Sequence, residues 1–410
     1  MRIGIATWTR RLAGGVETYL GALVPALLER GHEVSVLHEV DEPSDRAPIT
    51  TAVPHWQAGA GLTDAALAEF DAWKPDVVFT QGLRDPLLDA RVATIAPTVL
   101  FAHDYRGTCV SGTKSFAALS HATCQRRLGW QCLAHYFPNR CGGLNPLTMA
   151  KLYRRESQRR DLFKQYVAVV MFSEYMRREF IRNGVAPACT HRLPGHLPFQ
   201  LSTGPVASSP ALPSRLLFIG RMEELKGGHV LLDALPIVQQ SLGRALHVSF
   251  VGDGRLRRQW EAQARRVFTP DELSRVEFTG WVGPEERTRL LANADLIVVP
   301  SLWPEPFGLI GLEAAACGVP AAAFDVGGIS EWLDDGINGH LAPANPPRAP
   351  HLAAAIIKCL RDPSIHQRLS RGAREMASRH SIGAHVAALL NVFTLATSSA
   401  SNVHTGDPAA

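Results

Sequence analysis

Short runs rich in Val and Ile alternate with helix-like segments twice along the chain, and a stretch dominated by Pro, Ser and Gly separates the two series. No other feature restricts the fold as strongly. In the first series the runs are "RIGIA" (2–6), "EVSVL" (33–37), "DVVFT" (76–80), "TVLFA" (98–102) and "VAVVMF" (167–172). In the second they are "RLLFIG" (215–220), "HVSFVGDG" (247–254), "RVEFTG" (275–280), "DLIVVP" (295–300) and "VPAAAF" (319–324). Near-continuous apolar strands separated by helices belong to parallel sheets covered on both faces. The expectation is an α/β protein with two tandem doubly wound units, residues 1–196 and 214–382, joined by a linker at 197–213. Residues 346–376 are expected to be helical, 383–397 to form a last apolar helix, and 398–410 a disordered tail. With 410 residues, 46% of them hydrophobic, the chain has material for both cores.

The formal charge of +4 is small for this length, so it gives no argument for nucleic acid and permits an anionic small ligand. No run of about 18 apolar residues is apparent, so no transmembrane span is expected. The N-terminus enters a strand directly, and a cytoplasmic protein is the expectation. Seven cysteines, an odd number in a long chain, do not read as a secreted disulfide framework.

Ligands of open α/β sheets bind beyond the carboxyl ends of the strands. Two such units place those ends opposite one another, so the active site is expected in the cleft between them. Residues at strand ends therefore carry the functional reading. In "EPFGLIGLEAAACGVP" (305–320), Glu305 precedes a turn and Glu313 lies about one turn inside the helix that follows. The helix start leaves unpartnered N–H groups that suit a phosphate, and Gly308 permits close approach. A carboxylate at Glu313 can accept two hydroxyl hydrogen bonds, as from a ribose diol. In "GRMEELKGG" (220–228), Arg221 and Lys226 are two cations suited to a pyrophosphate. Gly14 and Gly15 open a helix after the first strand without the full G-x-G-x-x-G of a dehydrogenase. His103, in "LFAHDY", ends another strand, where an imidazole can bond sugar hydroxyls or shuttle protons. For Trp281, core packing is the expected role.

Together these residues resemble the retaining GT-B glycosyltransferases of family 4, also called glycosyl transferases group 1. The resemblance runs from "GGVE" to "NGHLAP". Its most specific piece is E-x7-E with the Phe-Gly turn, joined in order by "GRMEELKG", "VGDG", "FTGWV", "VVPS" and "DVGGISE". It implies two Rossmann-like domains facing across a cleft and a nucleotide-diphosphate sugar as donor. It further implies that Arg221 and Lys226 hold the diphosphate, that Glu313 holds the ribose, and that Glu305 lies near the sugar. Phe307, Gly308 and Leu309 would meet the donor through backbone groups. His103 matches the family's N-domain histidine. Retention of anomeric configuration, no metal for catalysis, and a last helix crossing back onto the first domain are implied as well. Another GT-B reaction class (an epimerase or phosphorylase) and a non-catalytic sugar-nucleotide-binding module are the alternatives. The acceptor, saccharide, lipid-linked or small, is not specified.

An insert at about 105–145 falls outside this pattern. It holds Cys109, Cys124, Cys132 and Cys141 without a C-x-x-C pair. A structural zinc or iron–sulfur site, two disulfides, or reduced thiols in an apolar cluster are the options. The cationic helix around 151–166 reads as a solvated face, because its arginines spread around the helix. A peripheral membrane contact at the inner face of the membrane is the other reading.

Overall fold

The computed structural model describes residues 1–11, 14–40, 47–50, 52–59, 61–119, 121–197 and 212–404, with side chains to 398. Most of the expected 197–213 linker, and the tail beyond 404, lie outside the described residues.

Two all-parallel sheets form. The first has seven strands in the spatial order His55–Gln57, Glu33–Val40, Arg2–Thr9, Val77–Thr80, Thr98–Phe101, Ala168–Met171 and Thr190–Arg192. The second has six, in the order Val276–Gly280, His247–Val251, Arg215–Ile219, Leu296–Val299, Ala321–Phe324 and Gly339–Ala342. The central strands are buried end to end, as their apolar runs require. In these two sheets three strands escape the sequence pattern: His55–Gln57, Thr190–Arg192 and Gly339–Ala342. Each is short, lies at a sheet edge and contains a polar side chain, so only its paired neighbour reveals it.

In each sheet the strand order reverses beside the first strand of the unit. In the second sheet that point lies between Arg215–Ile219 and Leu296–Val299, which pair at Leu216 and Leu296. The segments leaving these two strands, 220–228 and 300–308, are thereby brought side by side although far apart in sequence. Leu302 N–H donates to Leu225 O at 2.8 Å and locks them together.

The expected 346–376 helix is two helices, Ala349–Leu360 and Pro363–Ser378, because Asp362 caps a new start with Pro at its first position. The last helix, Ile382–His404, extends past the expected end at 397. One 18-residue window within Pro363–Ser398 has a mean hydropathy of 1.3, apolar enough by composition to span a membrane. Part of its apolar surface is used internally: Val386, Leu389, Val392 and Phe393 are buried, while Leu395 is exposed. Phe393 meets Phe79 of the first sheet edge-on at 5.2 Å. His385 is bonded to Tyr19 Oη at 3.0 Å and to Pro194 O at 2.8 Å. Only a donor can face that carbonyl, so Nδ1 carries the proton and Nε2 accepts from Tyr19. The final helix thus straps the second unit to the first.

Candidate active site

The switch point of the second sheet sets Lys226 against Glu305. Lys226 belongs to a short turn, Glu224–Lys226, ended by Gly227 in the left-handed region at φ 69°. A Cβ on Gly227 would stand 1.8 Å from Pro300 O, so only glycine allows the two segments to close. Lys226 Nζ donates to Glu305 Oε1 at 2.6 Å. Ser301 Oγ and Trp303 Nε1 donate to the same oxygen at 2.5 and 3.0 Å. Burial pushes the Glu305 carboxyl up, but Lys226 and the two neutral donors outweigh it and hold the group below the usual carboxylate range. An ionised Glu305 therefore fixes Lys226 on the cleft wall. Arg221 is largely exposed nearby, loosely paired with Glu223 at 3.3 Å.

Glu313 is buried in the helix Leu309–Ala316 and forms an ion pair with Arg287, from the helix Pro284–Asn293. Burial pushes its carboxyl up, and Arg287 does not cancel the effect. No other described group bonds it, which leaves acceptor capacity unfilled. Gly308 caps the same helix at φ 91°. Phe307 O accepts from Trp332 Nε1 at 2.7 Å, while the Phe307 ring is buried against Phe172 of the first unit at 5.2 Å. Two of the carbonyls before it, those of Pro304 and Pro306, are also held across the seam. Tyr105 Oη donates to Pro304 O at 2.7 Å and Ser173 Oγ to Pro306 O at 2.6 Å.

Lys226 also lines a cavity of about 310 Å³. Its second-unit wall is Arg221, Glu223, Leu225, Lys226 and Trp303; its first-unit wall is Asp104, Arg106, Val110–Thr113 of the insert, and Leu152, Arg155 and Glu156. The first-unit charges are largely paired, Arg106 with Asp104 and Arg155 with Glu156, both at 3.0 Å. His103 lies behind this wall, lining a smaller cavity of about 30 Å³ with Gln81 and Arg159. It stacks on Phe101, and its Nε2 is 2.7 Å from Gln81 Oε1. An amide oxygen only accepts, so Nε2 holds the proton and Nδ1 is an acceptor. Burial, then Arg106, pushes the imidazole down to about 3. It is neutral at physiological pH, with Nδ1 free to accept from a hydroxyl. Gly14 and Gly15 are exposed at the start of the helix Gly15–Leu28, beyond the first strand. Residues 12 and 13 lie outside the described residues.

Several expectations are corrected. Trp281 is 65% exposed rather than packed in a core. Arg159, expected on a solvated face, is buried, and its Nη2 donates to Arg84 O at 2.5 Å. All seven cysteines are free, so the insert has no disulfide. Among the described residues no three His, Cys, Asp or Glu side chains stand close enough to share a metal ion. Burial, with the thiols of Cys109, Cys124 and Cys132 adding to it, pushes Cys141 up to about 12, so it stays a thiol. Cys132 and Cys141 pack beside Val110, Leu128 and Tyr136 in a small apolar cluster. The insert is tied down by the buried pair Lys114–Glu179.

Sequence reasoning missed Trp303, Ser301, Arg287, Arg106 and Arg155. Trp303 and Ser301 flank the motif and were open to notice. Arg287, in "PEERTRLL", has the appearance of any exposed helix cation.

Two tandem Rossmann-like domains with charged strand-end segments meeting at a cleft define a GT-B nucleotide-sugar enzyme. Comparison with known proteins agrees. Residues 13–195 match the model described as Glycosyltransferase Family 4, and residues 213–362 match Glycosyl transferases group 1. The chain belongs to this family and is a glycosyltransferase acting with a nucleotide-sugar donor. It is similar to the glycogen synthase of Mycobacterium tuberculosis (strain ATCC 25618 / H37Rv), 28% identical over 92% of this chain and 90% of that protein. A phosphatidyl-myo-inositol mannosyltransferase of Mycobacterium leprae (strain TN) is 31% identical over 50% of this chain and 53% of that one. Among solved structures, HepE of Anabaena in complex with UDP-glucose superposes with a TM-score of 0.65, at 19% identity, over 98% of this chain and 100% of that one. Sucrose-phosphate synthase of Thermosynechococcus elongatus gives 0.70, at 18% identity, over 97% and 100%.

Proposed function

We propose that the cleft transfers the sugar with retention of configuration, the donor lying on the second unit and the acceptor on the first. The single observation that carries this reading is Lys226, fixed by a buried carboxylate where two switch-point segments meet. As the glycosidic bond breaks, negative charge grows on the leaving diphosphate. A preorganised ammonium there, with Arg221 beside it, stabilises that charge without having to reorient. Glu313 receives the ribose hydroxyls beside Arg287, which opposes the effect of burial on the carboxyl without cancelling it. Phe307, Gly308 and Leu309 offer backbone groups at the helix start, and Gly14 and Gly15 offer another from the first unit. Glu305 lies by the sugar and acts through Lys226 as well. His103 accepts from a sugar hydroxyl through Nδ1. The acceptor enters between Asp104, Arg106 and the insert, where paired charges and Trp303 suit a hydroxyl-rich molecule. No metal is required for these steps. Seven unpaired thiols fit a reducing cytoplasm.

The solved neighbour with UDP-glucose supports a uridine or similar sugar nucleotide. Melting the protein with a panel of sugar nucleotides tests the donor, because binding raises Tm by mass action. One donor should raise it by several degrees, and NMR of its product should show the donor's anomeric configuration kept. No response to any nucleotide sugar, or an inverted product, would overturn the reading.

A further inference from the structure

Between Asp104 and Glu156 the sequence contains no acidic residue. This stretch is the insert plus the start of the helix Pro146–Leu162. Within it Arg126, Arg127, Arg140, Lys151 and Arg154 are all exposed. None of the five forms an ion pair with a described residue, unlike Lys114, Arg106 and Arg155 of the same stretch. The stretch also carries the most exposed large apolar side chains among the described residues. Among the described residues, Trp130, Leu144 and Leu147 alone exceed 70%, at 72%, 77% and 80%.

The fold holds these apolar side chains outward. Asn145 caps the helix, its side chain accepting from Leu147 and Thr148 N–H, which fixes Leu144 and Leu147 on either side of the cap. Lys151 follows Leu147 by four residues, on the same helix face. Ala118 N–H donates to Asn139 O, setting the half-exposed Leu119 beside Arg140. Trp130 opens the helix Gln131–Tyr136, just after Arg126 and Arg127. Outward leucines and a tryptophan in an uncompensated cationic field need an occupant that is both apolar and anionic.

We propose that the insert docks on an anionic lipid bilayer, the cations meeting headgroups and Trp130, Leu144 and Leu147 entering the interface. Basic clusters next to apolar anchors bind such surfaces through both terms. A second copy of the chain would bring like charges together. A soluble polyanion would leave the leucines in water. Because Arg106 and Val110–Thr113 of the same stretch line the cleft, docking sets the acceptor side of the cleft close to the membrane. The inference does not depend on the roles given to the donor residues.

Co-sedimentation of the full chain with vesicles tests it. Vesicles containing phosphatidylglycerol should bind at least about tenfold more tightly than pure phosphatidylcholine vesicles, with binding lost near about 0.5 M salt. The pair Leu144→Ser and Leu147→Ser should weaken binding at least about fivefold with Tm unchanged, since both side chains are already in water. Reversing charge with Arg140→Glu and Lys151→Glu should weaken it at least as much. Equal binding to neutral vesicles would overturn the proposal. So would serine variants that bind like wild type while both proteins are retained on a soluble polyanion, which would indicate a polyanion partner. A wild-type dimer that the serine variants lose would indicate a second copy instead and would also overturn it.

Discussion

Glu305 and Glu313 stand at the two ends of one motif, both buried, each beside one cation, yet their carboxyls move in opposite directions. Glu305 is held below the ordinary range and Glu313 above it. Burial opposes the charge in both cases. The difference lies in the other donors: Ser301 and Trp303 join Lys226 on Glu305, whereas Arg287 is alone on Glu313. A counterion by itself does not settle a buried carboxylate; filling its acceptor capacity does. Glu305 is satisfied within the protein and serves as a fixed part of the site. Glu313 keeps unfilled acceptor capacity, which in the proposed reading a ligand completes.

The largest expected effect comes from breaking the satisfied end. Lys226→Met removes the ammonium from the leaving diphosphate and should lower kcat by about 100-fold or more. It also leaves Glu305 buried with neutral donors only, at a cost of up to about 3 kcal/mol, towards the low end for broken buried pairs because Lys226 is partly exposed. Steady-state rates and urea denaturation would show both. An unchanged kcat would remove Lys226 from the chemistry.

Acid pH comes next, and it acts at the seam behind the motif. His103 and His385 both lie near 3, with burial the main cause in each. The folded state keeps them neutral while the unfolded chain protonates them near its ordinary value. Between about pH 6.5 and 3 the unfolded state thus binds more protons, and stability falls as pH falls, by at most about 1.4 kcal/mol per pH unit for each group. Melting curves over this range should show the decline. His385→Gln should flatten it, while lowering Tm at neutral pH through the lost bond to Pro194.

The smallest effect is the sharpest contrast between the glutamates. A carboxyl raised by folding makes its ionised form a cost to the fold once pH rises through about 4.5 and its folded value; a lowered one contributes stability above about 4.5 that is lost as pH falls. Glu313→Gln should therefore stay within about 1 kcal/mol of wild type at neutral pH, since the partly exposed Arg287 can hydrate. Glu305→Gln should destabilise by about 1–3 kcal/mol. Equal losses from the two would erase the distinction drawn between them.

Much of this architecture was legible because buried parallel strands announce themselves as apolar runs. The edge strands were not, since "HWQ" and "THR" gain strand geometry only from a neighbour. The motif residues were legible one by one, but their pairing was not. Lys226 meets Glu305 across 79 residues because the strand order reverses between their strands, a property of topology and not of local sequence. Arg287 reaches Glu313 because the helices Pro284–Asn293 and Leu309–Ala316 pack together, which local sequence does not reveal either. His103 was found as a residue, while its protonation followed only from Gln81 and burial. The insert was conspicuous for its cysteines, and the structure shifts attention to its exposed cations and leucines.

The central claim is that Glu305 works through a fixed ammonium whereas Glu313 waits for the donor. The most direct measurement is the kcat and donor KM of Glu305→Gln and Glu313→Gln with the donor identified by melting. Glu313→Gln should raise donor KM by about tenfold or more with kcat nearly kept, because ribose bonds act equally on ground and transition states. Glu305→Gln should lower kcat by about tenfold or more with donor KM little changed, because Lys226 is then no longer held against the growing charge. The reverse split, a Glu313 variant that binds donor normally but fails in chemistry beside a Glu305 variant that turns over at the wild-type rate, would contradict the account.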